Sequence, residues 1–181
     1  PTTSSAASDV YKRQPLQKDG LMKGFQLWVN LPSSEKMQPP RYKDIKASEI
    51  ISIEEGSTRI KLIAGNYKEY QGPIQGLTTE LDYFDISISE DAFSFIGDEK
   101  KNYFLYPFEG EIEVNDETLS SRNGICFSGS AKINTKHQSR FLLIGGKPLF
   151  EPIFQYGPFV MNTKNEILQA IEDFQSGSFG K

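Results

Sequence analysis

One imidazole, one thiol and a scatter of carboxylates are the groups in this sequence that could do chemistry. His137 sits in the polar run NTKHQSR and reads as a solvated loop residue. A two-histidine, one-carboxylate iron centre, or a zinc site of mixed Cys/His type, needs more ligands than one His and one Cys supply. A Ser-His-Asp relay would have to recruit His137, and no G-x-S-x-G elbow is present. Cys126 lies in GICFSG between Ile125 and Phe127, which predicts a strand interior and a buried, inert thiol. Gly145-Gly146-Lys147 ends like a phosphate loop, but Phe141 stands where the upstream glycine is needed and Pro148 follows, so a turn is expected. Glu111 and Glu113 share one strand face and read as solvated. Taken alone, these residues define no catalytic, cofactor-binding or metal site.

Composition narrows the classes further. The chain has 181 residues, enough for one substantial domain, and its 13 Phe and 8 Tyr supply apolar area for a β-rich core. With 24 acidic and 20 basic residues interspersed, the net charge is -4 and no basic stripe exists. Direct nucleic-acid binding is therefore not expected. No apolar run approaches the roughly 18 residues needed to cross a bilayer as a helix. A lone cysteine and no apolar leader point to a reducing compartment and a cytoplasmic protein.

The elements that must position any site are mostly strands. Residues 1–20 open with PTTSSAASDVYKRQ, small and polar, and read as a disordered, non-native leader. Residues 24–31, GFQLWVNL, alternate Phe25, Leu27 and Val29 against Gln26, Trp28 and Asn30, which predicts a strand. Trp28 either lines a ligand cavity or packs against a neighbouring layer, with packing the expected role. Pro32, Pro39 and Pro40 then forbid continuation, so residues 32–45 read as a linker. Strand signals recur at 59–64, 81–88 (Phe84, Ile86 and Ile88 on one face), 92–96, 102–108, 111–114, 124–127 and 140–144. The pair 102–108 and 111–114 reads as a hairpin turning at Glu109-Gly110. One helix closes the chain. Thr163 and Glu166 fit a capping box, Ile167, Leu168, Ile171 and Phe174 form a docking stripe, and Gly177 is the expected stop.

Three stretches, taken in order, resemble the pirin family: GFQLWVNLPSSEKMQPPRYKDI, LIGGKPLFEPIFQYGPFVMNT and the EILQAIEDFQSGSFG tail. The resemblance implies an all-β fold, a cupin-type antiparallel β-barrel or sandwich with one C-terminal α-helix. It divides the chain into residues 21–31, the last strand of a truncated N-terminal cupin; the 32–45 linker; the 46–162 C-terminal cupin barrel; and the 163–181 helix and tail. Pirins resemble two-barrel cupins whose N-terminal barrel holds iron through three histidines and a glutamate. Those ligands precede the GFQLWVNL strand, and none carries over to this chain. Where a metal-binding cupin shows H-x-H and a glutamate, this sequence reads DEKKNYFLYPFEG. The resemblance therefore implies a quercetin 2,3-dioxygenase-like parent with Fe in its N-terminal barrel, and a chain that is inactive and metal-free alone. An alternative is a co-regulator acting through a protein partner, with the chain's own N-terminal barrel as its other contact.

Overall fold

Alternation at period two decides most of the architecture. The computed structural model describes residues 24–39, 41–90 and 92–179, and the expected leader, residues 1–20, lies outside them together with Pro40. The chain divides into Pro1–Asn30 and Leu31–Lys181. In the first unit, residues 24–30 form no strand despite their alternating pattern, and the side chains of Phe25, Trp28 and Val29 are exposed. Alternation only selects a face; a strand also needs a ladder, and an isolated extended segment is not stable in water. Trp28 is therefore an exposed residue here, contrary to the expected packing role.

In the second unit fourteen strands run in order: β1 (Ile51–Glu55), β2 (Thr58–Ala64), β3 (Asn66–Tyr67), β4 (Tyr70–Gln71), β5 (Asp82–Ile88), β6 (Ala92–Phe95), β7 (Asn102–Glu109), β8 (Glu111–Val114), β9 (Glu117–Ser120), β10 (Ile125–Ser128), β11 (Ala131–Asn134), β12 (Ser139–Gly146), β13 (Phe154–Tyr156) and β14 (Phe159–Met161). A six-stranded sheet, β1-β2-β5-β12-β7-β10, faces a four-stranded sheet, β6-β11-β8-β9, and both are antiparallel throughout. Their inner faces share one core. Ile60, Leu62, Phe84, Ile86, Leu105, Phe141 and Leu143 from the larger sheet meet Phe93, Phe95, Ile112, Val114 and Ile133 from the smaller. Each such side chain contributes about 1.5–3 kcal/mol by leaving water.

The expected hairpin between β7 and β8 does not form. β7 pairs with β12 and β10, whereas β8 pairs with β9 and β11, so the chain changes sheets at Gly110. Gly110 has φ 78, and a Cβ there would lie 2.4 Å from Ser139 Oγ, so the corner needs glycine for both conformation and space. A Glu-Gly pair marks a tight turn in either case; what distinguishes a hairpin from a corner is the pairing of distant strands, which local sequence does not encode. Nearby, Pro107 lies in β7 where the register against β12 slips between Arg140 and Phe141. A bulge of this kind tolerates a residue with no N–H to offer the ladder.

The helix α1 (Lys164–Ser176) docks on the β13–β14 hairpin through Ile167 and Ala170, with Met161, Phe159 and Ile171 completing a small separate core. The expected stripe is rotated slightly: Ala170 is buried and Leu168 faces solvent, because positions 167, 170, 171 and 174 share a face at 3.6 residues per turn. Phe174 borders that face, its ring 5.9 Å from that of Phe159. The capping box forms as expected, Glu166 N donating to Thr163 Oγ1 at 3.2 Å and Thr163 N to Glu166 Oε2 at 2.7 Å, and Gly177 ends the helix. A second carboxylate, Glu151, accepts from Ser33 N at 2.8 Å and from Asn162 Nδ2 at 2.7 Å, tying the start of the unit to the helix approach.

Both carboxyls are held below their ordinary range, Glu166 chiefly by the Thr163 hydroxyl and Glu151 chiefly by the Ser33 N–H. A depressed folded pKa gives stability that is present above the unfolded value of about 4.3 and lost as pH falls through the folded value. Lowering pH from about 6 to about 3 should therefore reduce the amide protection factors at Ser33 and at residues 164–166 before those of the barrel strands. Simultaneous loss of protection in β5 and α1 would contradict this separation.

Candidate functional site

The chemistry concentrates at one end of the sandwich. Asp82 begins β5, Gly145 is the last residue but one of β12 and Tyr103 the second of β7, and the register places the three side by side on the inner face. A Cβ at position 145 would lie 2.3 Å from the Tyr103 ring, so glycine there is what lets the phenol lie across the middle strand toward Asp82. Tyr103 Oη is 3.4 Å from Asp82 Oδ2 and accepts the Asp98 N–H at 2.9 Å. Lys101, just before β7, donates from Nζ to Asp82 Oδ2 at 2.7 Å. Both partners of this ion pair are buried, their side chains 11% and 7% exposed.

Burial is the largest influence on Asp82, pushing its carboxyl above the usual range against the opposing effect of Lys101. Burial likewise pushes the Tyr103 phenol up to about 12. Around the pair stands an aromatic cluster: Phe95 lies edge-on to Tyr103 (5.0 Å) and to Phe84 (6.2 Å), and Tyr67 edge-on to Phe84 (5.9 Å). Tyr67 also reaches Glu55, which holds Lys68 at 2.6 Å. These groups line an open cleft of about 500 Å³ between the sheets, floored by Asp82, Lys101 and Phe84 and rimmed by Lys68, Ser94 and Ile96. A smaller hollow of about 200 Å³, lined by Gln75, Glu80 and Leu81, shares its Asn66, Asp82 and Lys101 wall.

The residues weighed in the sequence fall elsewhere. His137 is exposed in the β11–β12 turn, where it lines a separate shallow cleft of about 300 Å³ with Glu111, Glu113 and Asn134. Glu111 is solvated as expected, while Glu113 is half-buried and accepts from Asn134 Nδ2. Cys126 is in a strand but exposed, contrary to the expected buried thiol. Ile125 and Phe127 take the inner face of β10, so strict alternation turns the residue between them outward. Gly145 and Gly146 belong to β12 instead of a turn, and Lys147 after them pairs with Glu80. The functional cluster itself carried one sequence signal: Asp82 precedes Phe84, Ile86 and Ile88 at period two, which places a carboxylate on the apolar face.

Iron does not fit this donor set. The ligands implied by the resemblance are three imidazoles and a carboxylate, whereas the described lining of the barrel mouth holds no imidazole, and its floor carboxylate Asp82 is already bonded to an ammonium and a phenol. Among the described residues no three His, Cys, Asp or Glu side chains converge to hold a metal ion. No helix among the described residues is long and apolar enough to cross a membrane.

Fold and site together define a cupin-type double sheet with a buried charged pair at its mouth. Residues 83–180 match the pirin C-terminal cupin domain, and the chain belongs to the pirin family. A pirin-like protein of Caulobacter vibrioides is 35% identical over 177 residues, covering 94% of this chain and 63% of its own length. Pirin-1 of Arabidopsis thaliana is 34% identical, covering 87% of this chain and 58% of its own. The crystal structure of a quercetin 2,3-dioxygenase from Acinetobacter baumannii superposes with a TM-score of 0.77 at 34% identity, over 85% of this chain and 56% of that one. The chain thus spans less than two thirds of the length of these relatives.

Proposed function

We propose that this chain is the metal-free half of a two-barrel protein whose partner barrel carries iron and oxidises a flavonol of the quercetin type. The observation that carries the reading is the buried Lys101–Asp82 pair at the barrel mouth, in a cleft whose described lining holds no imidazole. The likeness to the Acinetobacter dioxygenase supports the oxidative assignment for the whole protein. On this reading the chain itself contributes burial and support to the first barrel and performs no redox step.

The test compares the purified chain with a fusion in which the N-terminal barrel of the Acinetobacter protein precedes it. Iron content and quercetin consumption are measured after loading with Fe(II). The chain alone is expected to retain no iron and to consume quercetin no faster than free Fe(II), while the fusion does both. Turnover by the chain alone that disappears in His137→Ala would overturn the proposal.

A further inference from the structure

We infer that the cleft at the mouth of this barrel is a binding site for a small aromatic carboxylate, a site separate from any iron centre. Most of the hydrogen-bonding capacity at the cleft floor is already spent. Asp82 Oδ2 faces both Lys101 Nζ and Tyr103 Oη, and the Asn66 backbone N–H also serves this carboxylate. The Tyr103 oxygen already accepts from Asp98 N. Lys101 differs: its ammonium has three protons and, among the described residues, one acceptor. The spare capacity of the floor is therefore donor capacity, on a cation that is almost wholly withdrawn from solvent and lines both hollows. The complement is an anionic oxygen.

The walls specify the rest of the ligand. Phe95, Tyr67 and Tyr103 line the cleft beside the Phe84 floor, and Ile96, 84% exposed, stands at the rim. A planar apolar body fits there with its acid group pointing inward. A volume of about 500 Å³ suits a single-ring or two-ring molecule and is at the small end of ligand pockets. Charge disfavours a second negative group: Lys68 is paired with Glu55, the two uncommitted protons of Lys101 serve one anionic group, and Asp98 at the rim would repel another. Dicarboxylates and phosphates are disfavoured for that reason.

The test uses the full chain, isotope-labelled, titrated with benzoate, benzyl alcohol and acetate while amide shifts are followed. Benzoate is expected to bind about tenfold more tightly than either analogue, the worth of one charge-assisted hydrogen bond, with shifts centred on Phe95, Lys101 and Tyr103. Lys101→Met should remove that preference. Because this variant leaves Asp82 unpaired and can lose its fold, the double variant Asp82→Asn with Lys101→Met is measured alongside it, and should bind benzoate and benzyl alcohol equally. Ser94→Trp, at an exposed rim position, should block both ring compounds. Equal binding of benzoate and benzyl alcohol by the unmodified chain would overturn the site. So would a benzoate preference that survives in the double variant, or shifts centred on His137.

Discussion

Lys101→Met should destabilise the barrel by about 3 kcal/mol at neutral pH, the cost of leaving a buried carboxylate without its counter-charge. The loss falls at the low end of such costs because the pair borders an open cleft, so water can approach Asp82 when the ammonium is gone. The pH dependence distinguishes this cause from simple loss of packing. Asp82 already has its carboxyl raised by burial, and removing Lys101 takes away an influence that lowers it. A raised folded pKa gives a contribution that is fully present below the unfolded value of about 3.9 and lost as pH rises through the folded value. The deficit of the variant should therefore be largest at neutral pH and shrink toward pH 4, as Asp82 takes up a proton in the folded state. Adding Asp82→Asn should recover most of the loss at pH 7, since replacing both members of a buried pair is often close to neutral. Denaturant unfolding of the three proteins at several pH values decides it. A deficit that does not vary with pH, and that the second substitution leaves in place, would show that the lysine stem and not its charge matters.

Local rules carried far in this sequence. Strands β2, β5, β6, β7, β8, β10 and β12, the Thr163–Glu166 box and the Gly177 stop were legible, because each rests on residues within a few positions of one another, whereas β1, β9, β11 and the β13–β14 hairpin were not read as strands. The inner face of β5 was legible as well, and Asp82 was available to the same alternation that picks out Phe84. What local rules could not supply was partnership. The corner at Gly110 and the failure of residues 24–30 to join a sheet both depend on which distant strand lies alongside. Lys101 was hidden for a related reason. It sits in the run DEKK, which composition reads as solvated surface, and only the cross-sheet row of Asp82, Gly145 and Tyr103 draws its ammonium inward. The site was thus one inference away on β5 and out of reach on the loop before β7.

The second large effect concerns the boundary between core and cleft. Phe84 and Phe141 are equally buried, on adjacent strands of the same sheet, yet Phe84 also lines the 500 Å³ cleft whereas Phe141 lies deeper. Truncation to alanine costs the transfer free energy of the ring plus a term for the space left behind, about 3–5 kcal/mol in total for Phe. At Phe141 that space is closed on all sides, so the loss should fall at the upper end, near 5 kcal/mol. At Phe84 the vacated volume joins the cleft and admits water, so the cavity contribution is smaller and the loss should be nearer 3 kcal/mol, even after the edge contacts to Tyr67 and Phe95 are removed. Urea unfolding of Phe84→Ala and Phe141→Ala under identical conditions measures the difference directly. Equal losses at the two positions would mean that the cleft does not stand open over Phe84 in solution, and a closed mouth would in turn remove the space on which the aromatic-acid site depends.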